Sequence, residues 1–242
     1  MRVLSIIFSI VIVLSGCSPK KTEGNTEPAV NQLSEKQVAD GWKVLFNGQS
    51  LEGWRPFKNE PCTSWEVSDG TLHCLPSTDS VELKHNDILT VDQYQNFELV
   101  FDWKISEMGN SGVMFRVTED YNVPYATGPE YQVLDDEGYP GDVKDVEKSG
   151  GNFAMHAPAS KKARQPGEWN TAKIIVDGNH VEHWLNGSKV VDYELGSDDW
   201  SHRVNGSKWK DFPGYGLATT GHIDLQDHGH EVWFRNIFIK SL

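Results

Sequence analysis

A carboxylate, an amide and a guanidinium fall on two neighbouring predicted strands, where they can form one polar surface. Glu130 and Gln132 alternate with apolar residues, so a strand places both polar side chains on the same face. The preceding strand, residues 111–117, places Arg116 on the face opposite its apolar residues. If the two strands pair, the three polar side chains share one face. This group is either a binding surface or a surface ion pair that contributes about 0–1 kcal/mol.

Two predicted strands near the C-terminus carry further candidates. Gln226 follows a strand whose alternate residues are apolar, and Trp233 and Arg235 point away from the core in the last strand. The tip between these two strands carries His228. If all four strands are neighbours, they line a groove with amides and guanidiniums for sugar hydroxyls and an indole for stacking. Such a groove also has Glu and His for proton transfer.

The remaining ionisable candidates have weaker patterns. Asp135 follows the Glu130 strand, so it is either a further acid or a turn residue at the strand end. His183 shares its strand face with apolar residues, which predicts a core histidine, and His156 adjoins a proline loop. A divalent metal ion, held by oxygen and His ligands, is the one cofactor that these residue types suggest. No CxxC or HExxH spacing identifies such a site.

The pattern of apolar residues predicts an all-β sandwich. Residues 97–105 alternate between apolar and polar types, and residues 171–194 read as a meander with Asp-Gly and Asn-Gly turns. About a dozen strands and no convincing helical period indicate two packed sheets. There is no 40-residue repeat of the kind that builds propellers. Residues 40–242 suit a single domain.

Charge and composition limit the classes of partner that the chain is expected to bind. The chain has 22 Lys and Arg against 35 Asp and Glu, a net charge of −13, without a basic patch. Nucleic acid is therefore excluded as an expected partner. Nine Trp in 242 residues favour carbohydrate stacking, although most of them are expected in the core.

The N-terminus has the pattern of a lipoprotein leader. Arg2 precedes an apolar run, residues 3–14, which is shorter than the roughly 20 residues of a membrane span. Leu-Ser-Gly-Cys then ends at Cys17, so residues 1–17 are predicted to be a signal peptide that leaves Cys17 lipidated. Residues 18–39 are predicted to be a flexible tether. We expect a lipid-anchored envelope protein on the outer membrane, facing the periplasm or the cell surface, with membrane contact through the anchor alone.

The other two cysteines flank a predicted hairpin. Cys62 and Cys74 lie on either side of a turn at Asp69-Gly70. Strand pairing about this turn predicts that they lie nearly opposite each other. An oxidising compartment then favours a disulfide.

Several ordered motifs together resemble the 3-keto-disaccharide hydrolase domain family, over about residues 40–242. The motifs are Trp42-Lys-Val-Leu-Phe-Asn-Gly48, Leu51-Glu-Gly-Trp54, Asn110-Ser-Gly-Val113, Glu130-Tyr-Gln-Val-Leu-Asp135, Gly167-Glu-Trp-Asn170, His183-Trp-Leu-Asn-Gly187, Leu225-Gln-Asp-His-Gly229 and Phe234-Arg-Asn-Ile237. The resemblance implies a concanavalin A-like jelly-roll β-sandwich with its site on the concave sheet. It also implies action on glycosides already oxidised at C3. The chain departs from the family pattern at Leu134–Tyr139 and at Phe153-Ala154.

A ketone at C3 suggests a specific mechanism. It acidifies the C2 proton, so a base can remove this proton and the C1 substituent can leave by β-elimination, after which water adds back. Glu130 and His228 are predicted to be the base and the acid, in either order. Arg116 or Arg235 is predicted to stabilise the enolate, unless a metal ion does so. The predicted hydroxyl-binding and stacking residues are Gln132, Gln226 and Trp233.

Two non-enzymatic readings of the sequence stay open. Sandwiches of this type also serve as carbohydrate-binding modules without catalysis, and Glu130 and Gln132 suit hydroxyl binding equally well. The acidic loop, residues 135–151, is also compatible with a structural lipoprotein that binds calcium.

Overall fold

Two antiparallel β-sheets, packed face to face, form the framework of residues 29–242, the part of the chain that the computed structural model describes. The strands in chain order are β1 (Lys43–Val44), β2 (Trp54–Pro56), β3 (Trp65–Ser68), β4 (Thr71–Cys74), β5 (Ile88–Thr90), β6 (Phe97–Ile105), β7 (Asn110–Val117), β8 (Glu130–Leu134), β9 (Asn170–Asp177), β10 (His180–Leu185), β11 (Ser188–Glu194), β12 (His222–Leu225) and β13 (Val232–Ser241). The larger sheet has the order β11-β10-β9-β6-β13-β4-β3, with β1 paired to β13, and the smaller has β2-β5-β12-β7-β8. The predicted all-β jelly-roll sandwich is confirmed.

Short helices connect some of the strands. The α-helices are α1 (Glu35–Ala39) and α2 (Asp198–Gly206), and the 3-10 turns are Phe57–Asn59, Pro124–Ala126, Asp145–Glu147 and Lys208–Asp211. Within residues 29–242, none of the helices has the length and apolar character needed to span a bilayer.

The core lies between the two sheets and is rich in aromatic residues. Trp103 of β6, Phe115 of β7, Tyr131 of β8 and Phe234 of β13 are all fully buried. Each comes from a strand with period-2 alternation, which sends every second side chain inward. Burial of one such side chain contributes roughly 1.5–3 kcal/mol. This core fixes the direction in which the alternate, polar residues of the smaller sheet must point.

The outer face of the smaller sheet carries the polar residues of β8. Tyr131 and its neighbour Val133 pack in the core, so Glu130 and Gln132 face outward, as predicted. In the pairing of β7 with β8, Gly112 lies opposite Gln132 and Met114 lies opposite Glu130. The outer face is therefore polar at its centre, although both polar side chains are buried.

Arg116 does not share this face, and its prediction is wrong. The pairing of β7 with β12 shifts register near Arg116, and the residue has a φ of 52°, so the strand alternation breaks there. The guanidinium donates instead to Gln95 O, at 2.8 Å from Nη2, and to Gly178 O, also at 2.8 Å. Arg116 therefore ties β7 to the β9–β10 turn of the larger sheet.

Trp233 and Arg235 also lie far from the predicted groove. Both point outward from β13 as expected, but β13 belongs to the larger sheet, between β6 and β4. Trp233 stacks on His73, with 4.9 Å between the ring centres, and Arg235 lies over Trp169. The predicted strand order was wrong, so these two residues belong to the opposite outer face of the sandwich.

The predicted disulfide between Cys62 and Cys74 is absent from the described residues, where both cysteines are free. In the β3–β4 hairpin Cys74 pairs with Trp65, so Cys62 lies three residues beyond the last matched pair. The buried Cys74 and the half-buried Cys62 are not opposite each other, because pairing about the two-residue turn at Asp69-Gly70 places residue 74 opposite residue 65.

The domain begins earlier than the sequence predicted. Asn31 is buried, donates to Gly70 O at 2.8 Å, and exchanges two hydrogen bonds with Asn236. Ser34 caps the following helix α1. Residues 31–39 are thus part of the domain rather than tether. The predicted signal peptide and Cys17 lie outside the described residues.

Replacing Arg116 tests its structural role. Arg116→Met removes the hydrogen bonds from the buried guanidinium to the Gln95 and Gly178 carbonyls, so we expect the free energy of unfolding to fall by about 1.5–3 kcal/mol. Urea unfolding followed by tryptophan fluorescence measures the change. Arg164→Met, at an exposed arginine, serves as the control and should change stability by less than about 0.5 kcal/mol. Equal stability of the two variants would contradict the structural role.

Candidate active site

A cleft of about 240 Å³ opens on the outer face of the smaller sheet. It brings together four of the predicted residues, Glu130, Gln132, Gln226 and His228. The other lining residues are Asn110, Tyr125, Phe153 and Lys208. The cleft thus combines a carboxyl, an imidazole, an ammonium and three amides with two aromatic rings.

Glu130 is the buried group at the centre of this cleft. Only 4% of the residue is exposed, and this burial raises the pKa of Glu130 to about 8. The space for its carboxyl exists because residue 112 is glycine: a Cβ there would lie 2.8 Å from Glu130 Cγ and Cδ. The Gln132 amide lies 3.0 Å from Glu130 Oε1, and it donates to this oxygen and to Ser111 O when its nitrogen faces them. At neutral pH the carboxyl is largely protonated.

His228 is held at the mouth of the cleft by a set of hydrogen bonds around its neighbours. Asp227 N donates to Asp87 Oδ1 at 2.8 Å, and Gly229 N donates to Asp227 Oδ1 at 2.8 Å. The Asp227 carboxylate also bonds His85 Nδ1 at 2.8 Å. These bonds fix the backbone on both sides of His228. Partial burial, and then the neighbouring His230, lower the pKa of His228, so its imidazole is neutral at pH 7.

Lys208 is the cation of the cleft, and sequence analysis missed it. Its Nζ lies 4.4 Å from the ring centres of both Phe153 and Trp209. Trp209 is fully buried and stacks on Tyr215, with 4.2 Å between the ring centres. Within residues 29–242 the ammonium forms no salt bridge, and partial burial lowers the pKa of Lys208, while Glu130 opposes that shift. No strand pattern marks Lys208, because it lies in a turn-rich segment after α2.

A second buried acid lies beneath the cleft. Asp224 of β12 pairs with Met114, which in turn pairs with Glu130, so the three side chains share one row on the same face. Asp224 is fully buried, and neither of its carboxyl oxygens has a hydrogen-bond partner among residues 29–242. Burial first, and then Asp87 and Glu130, raise the pKa of Asp224 well above its ordinary value. The neighbouring acid that further raises the pKa of Glu130, after burial, is Asp87.

Of the two roles predicted for Asp135, the structure supports that of a turn residue at the strand end. Its Oδ2 accepts from Met108 N at 2.9 Å and its Oδ1 accepts from Gly138 N at 2.9 Å. Asp135 does not line the cleft, which supports the role of a turn residue over that of a catalytic acid. His183 is a buried core residue, as predicted, with Nδ1 3.0 Å from Gly150 O. His156 stacks on Tyr193 outside the cleft.

Potential metal ligands cluster elsewhere. Within residues 29–242, the group with ligand atoms close enough for one ion is His180, Glu182 and Asp192, on β10 and β11 of the larger sheet. Lys189 already forms salt bridges with both of these carboxylates. A divalent ion at the cleft stays a prediction from the sequence.

The comparisons with known proteins identify the family. Residues 41–240 match the model of the 3-keto-alpha-glucoside-1,2-lyase-like domain. The chain belongs to this family. A protein of Bacteroides thetaiotaomicron named 3-keto-disaccharide hydrolase is 33% identical over 230 residues, covering 84% of this chain and 79% of the relative. The family resemblance predicted from the motifs is confirmed.

Two solved structures of Parabacteroides distasonis proteins, both named as candidate glycosyl hydrolases, share the fold. One is 40% identical, with a TM-score of 0.82 over 88% of this chain and 100% of that chain. The other is 32% identical, with a TM-score of 0.64 over 83% of this chain and 99% of that chain.

The raised pKa of Glu130 makes a testable contribution to the pH dependence of stability. Between the usual carboxyl pKa and about pH 8, the folded protein keeps a proton that the unfolded chain has lost, so rising pH destabilises the fold. Glu130→Gln removes this effect. We expect the unfolding free energy of the variant, minus that of the wild type, to rise by up to about 1.4 kcal/mol per pH unit in this window. Urea unfolding at pH 5, 6.5 and 8 measures it.

Glu137→Gln, at an exposed position in the loop after β8, is the matched control and should run parallel to the wild type. A Glu130→Gln curve that is also parallel to the wild type would mean that Glu130 ionises normally in the folded protein.

Proposed function

We propose that this chain is a glycoside-active enzyme that cleaves 3-keto-glycosides by abstraction of the C2 proton, elimination and rehydration. The observation that carries the proposal is the placement of a buried acid, a neutral imidazole and an ammonium in one cleft, at Glu130, His228 and Lys208. The names of the relatives support the same substrate class, because the Bacteroides thetaiotaomicron protein is named 3-keto-disaccharide hydrolase.

His228 is the base in this mechanism. Its lowered pKa leaves the imidazole neutral and able to accept a proton at pH 7, whereas the carboxyl of Glu130 is already largely protonated. The imidazole is also at the exposed mouth, where protons can exchange with water. The difference in protonation between the two groups therefore favours His228 over Glu130 as the base, an assignment that the sequence left open.

Glu130 and Lys208 bind the oxygen of C3. A carboxylic acid that is kept neutral by burial can donate a hydrogen bond to an enolate, and a nearby ammonium stabilises the same negative charge. Lys208 replaces Arg116 and Arg235, which lie elsewhere. Removal of one such donor from an enzyme typically reduces kcat by about 10²–10³-fold.

The proposed steps balance as follows. His228 takes the proton from C2, and the electron pair of the C2–H bond moves to form the enolate of the C3 ketone. The enolate then collapses to a C1–C2 double bond, the bond from C1 to the leaving oxygen breaks, and the imidazolium gives its proton to that oxygen. Water adds across the double bond, with its oxygen on C1 and a proton on C2.

The amides hold the sugar ring. Gln226 Oε1 is buried and has no hydrogen-bond partner in the described residues, so it is available to a sugar hydroxyl. Gln132 and Asn110 line the same cleft. Tyr125 and Phe153 supply the aromatic surface that the sequence assigned to Trp233.

The proposed location follows from the leader alone. A lipidated Cys17 would anchor the domain in the cell envelope, on the outer membrane, where glycosides from outside the cell are encountered.

Turnover of a chromogenic 3-keto-glucoside tests the proposal. We expect wild-type rates to rise with pH as His228 loses its proton and to fall above about pH 8 as Glu130 ionises. Glu130→Gln keeps a neutral hydrogen-bond donor, so it should retain activity within about tenfold at pH 7 and lose the decline near pH 8. Glu130→Ala should lose about 10²-fold or more. Stopped assays from pH 5 to 9 provide the profiles, with Glu137→Gln as the control.

Two outcomes would contradict the proposal. Binding of the glucoside without release by wild type, with divalent metals also supplied, would favour a carbohydrate-binding module. A Glu130→Gln variant as inactive as Glu130→Ala would mean that Glu130 transfers a proton instead of donating a fixed hydrogen bond.

A further inference from the structure

The cleft continues into a second lobe that neither the sequence nor the family comparison assigns. This lobe has a volume of about 260 Å³. Its own lining residues are Leu134, Tyr139, Pro140, Asp142, Val143 and Glu147. It shares Asn110, Gln132, Phe153 and His228 with the first lobe. The two lobes are therefore parts of one continuous cleft, and each has its own outer wall.

The shared residues mark the position of the scissile bond. Glu130 and Lys208 line only the first lobe, so the oxidised ring lies there in the proposed mechanism. His228 lines both lobes, as expected for a group that takes a proton from C2 and returns it to the oxygen on C1. The leaving group must then project into the second lobe.

The wall of the second lobe is built from fixed contacts. Asp135 holds the start of the loop through its bonds to Met108 N and Gly138 N. At the other end, Ser149 N donates to Asp136 Oδ1 at 2.8 Å and Ser149 Oγ donates to Leu134 O at 2.8 Å. The acidic loop, residues 135–151, is thus held at both ends by hydrogen bonds, and it forms one wall of the second lobe.

Tyr139 connects this wall to the base. Asn110 Nδ2 lies 3.4 Å from the Tyr139 hydroxyl, and the Tyr139 ring packs edge-on against His230, with 5.9 Å between ring centres. His230 in turn stacks on His228 at 5.4 Å. A leaving group seated against Tyr139 therefore lies beside the groups that position the base.

The lining of the lobe selects by charge and polarity. Leu134, Pro140 and Val143 offer an apolar surface, whereas Asp142 and Glu147 bring two carboxylates. Neither lysine nor arginine is among its lining residues in the described part of the chain. Glu147 forms a salt bridge with the exposed Lys144, 3.9 Å between Nζ and Oε1, and its charge also acts on Lys208, whereas Asp142 forms no salt bridge within residues 29–242. A carboxylate or phosphate on the leaving group would therefore meet the unpaired charge of Asp142.

We propose that the second lobe is the leaving-group subsite and that it selects uncharged leaving groups with an apolar face, of the aryl or unmodified sugar class, against anionic ones. This inference rests on the proposed function for its orientation, but the charge preference of the lobe can be measured without turnover.

Two 3-keto-glucosides with matched leaving groups test the inference. One carries 4-(hydroxymethyl)phenol and the other 4-(carboxymethyl)phenol, whose methylene groups keep the phenol acidities similar while the charge differs. For the wild type we expect kcat/KM to be about tenfold higher with the neutral leaving group, mainly through KM. Equal values for the two substrates would overturn the inference.

The double variant Asp142→Asn/Glu147→Gln tests whether the preference comes from the carboxylates of the lobe or from the net negative charge of the whole protein. It should reduce the tenfold preference to about twofold, mainly by lowering KM for the anionic substrate. The double variant Glu137→Gln/Asp145→Asn removes the same number of carboxylates from the same loop at residues that do not line the lobe, and it should keep the wild-type preference. Equal behaviour of the two double variants would contradict the assignment.

Calorimetric titration with the two unoxidised glucosides keeps this test separate from the proposed function. These compounds lack the ketone and cannot eliminate, so they report binding alone. Loss of turnover with a retained binding preference would reject the mechanism but keep the charge-selective lobe. Turnover of both substrates without any preference in KM or binding would reject the subsite alone.

Discussion

A carboxyl group held out of water on the outer face of a sheet places demands on much of the molecule. Glu130 is 4% exposed, and its burial raises its pKa to about 8. That burial requires a glycine opposite the next polar residue of β8, because any side chain at Gly112 would occupy the same space. It also requires a cover over the sheet, which Tyr125, Phe153 and Lys208 provide. A surface carboxylate in the same strand would have neither the raised pKa nor the enclosed cleft.

The cover is supported by packing far from the cleft. Trp209, next to Lys208, begins a column of stacked rings that continues through Tyr215 and Trp200 to Tyr193 on β11 of the larger sheet. On the other side, the tip that carries His228 is fixed through Asp227 by Asp87 and His85. The cleft is thus assembled from segments that are distant in sequence, and the sandwich core sets their separation.

The sequence was informative where local periodicity decides the structure. Alternation in β8 placed Glu130 and Gln132 outward, and alternation in β12 led to Gln226, because inward and outward faces follow from a period of two. It failed where strand order or a single backbone angle decides. Arg116 followed the alternation in sequence but has a φ of 52° at a bulge. Trp233 lies on β13, which belongs to the other sheet from the cleft strands. Lys208 lies in a turn, where no period indicates the direction of a side chain.

The incorporation of solvent deuterium during cleavage tests the central mechanistic claim most directly. In D₂O, abstraction of the C2 proton followed by rehydration should place deuterium at C2 of the released 3-keto sugar, at one atom per turnover, as measured by NMR. Reactions with His228→Ala measure the slow exchange that a ketone undergoes unaided. Cleavage by the wild type with protium retained at C2 would contradict elimination and indicate direct displacement at C1.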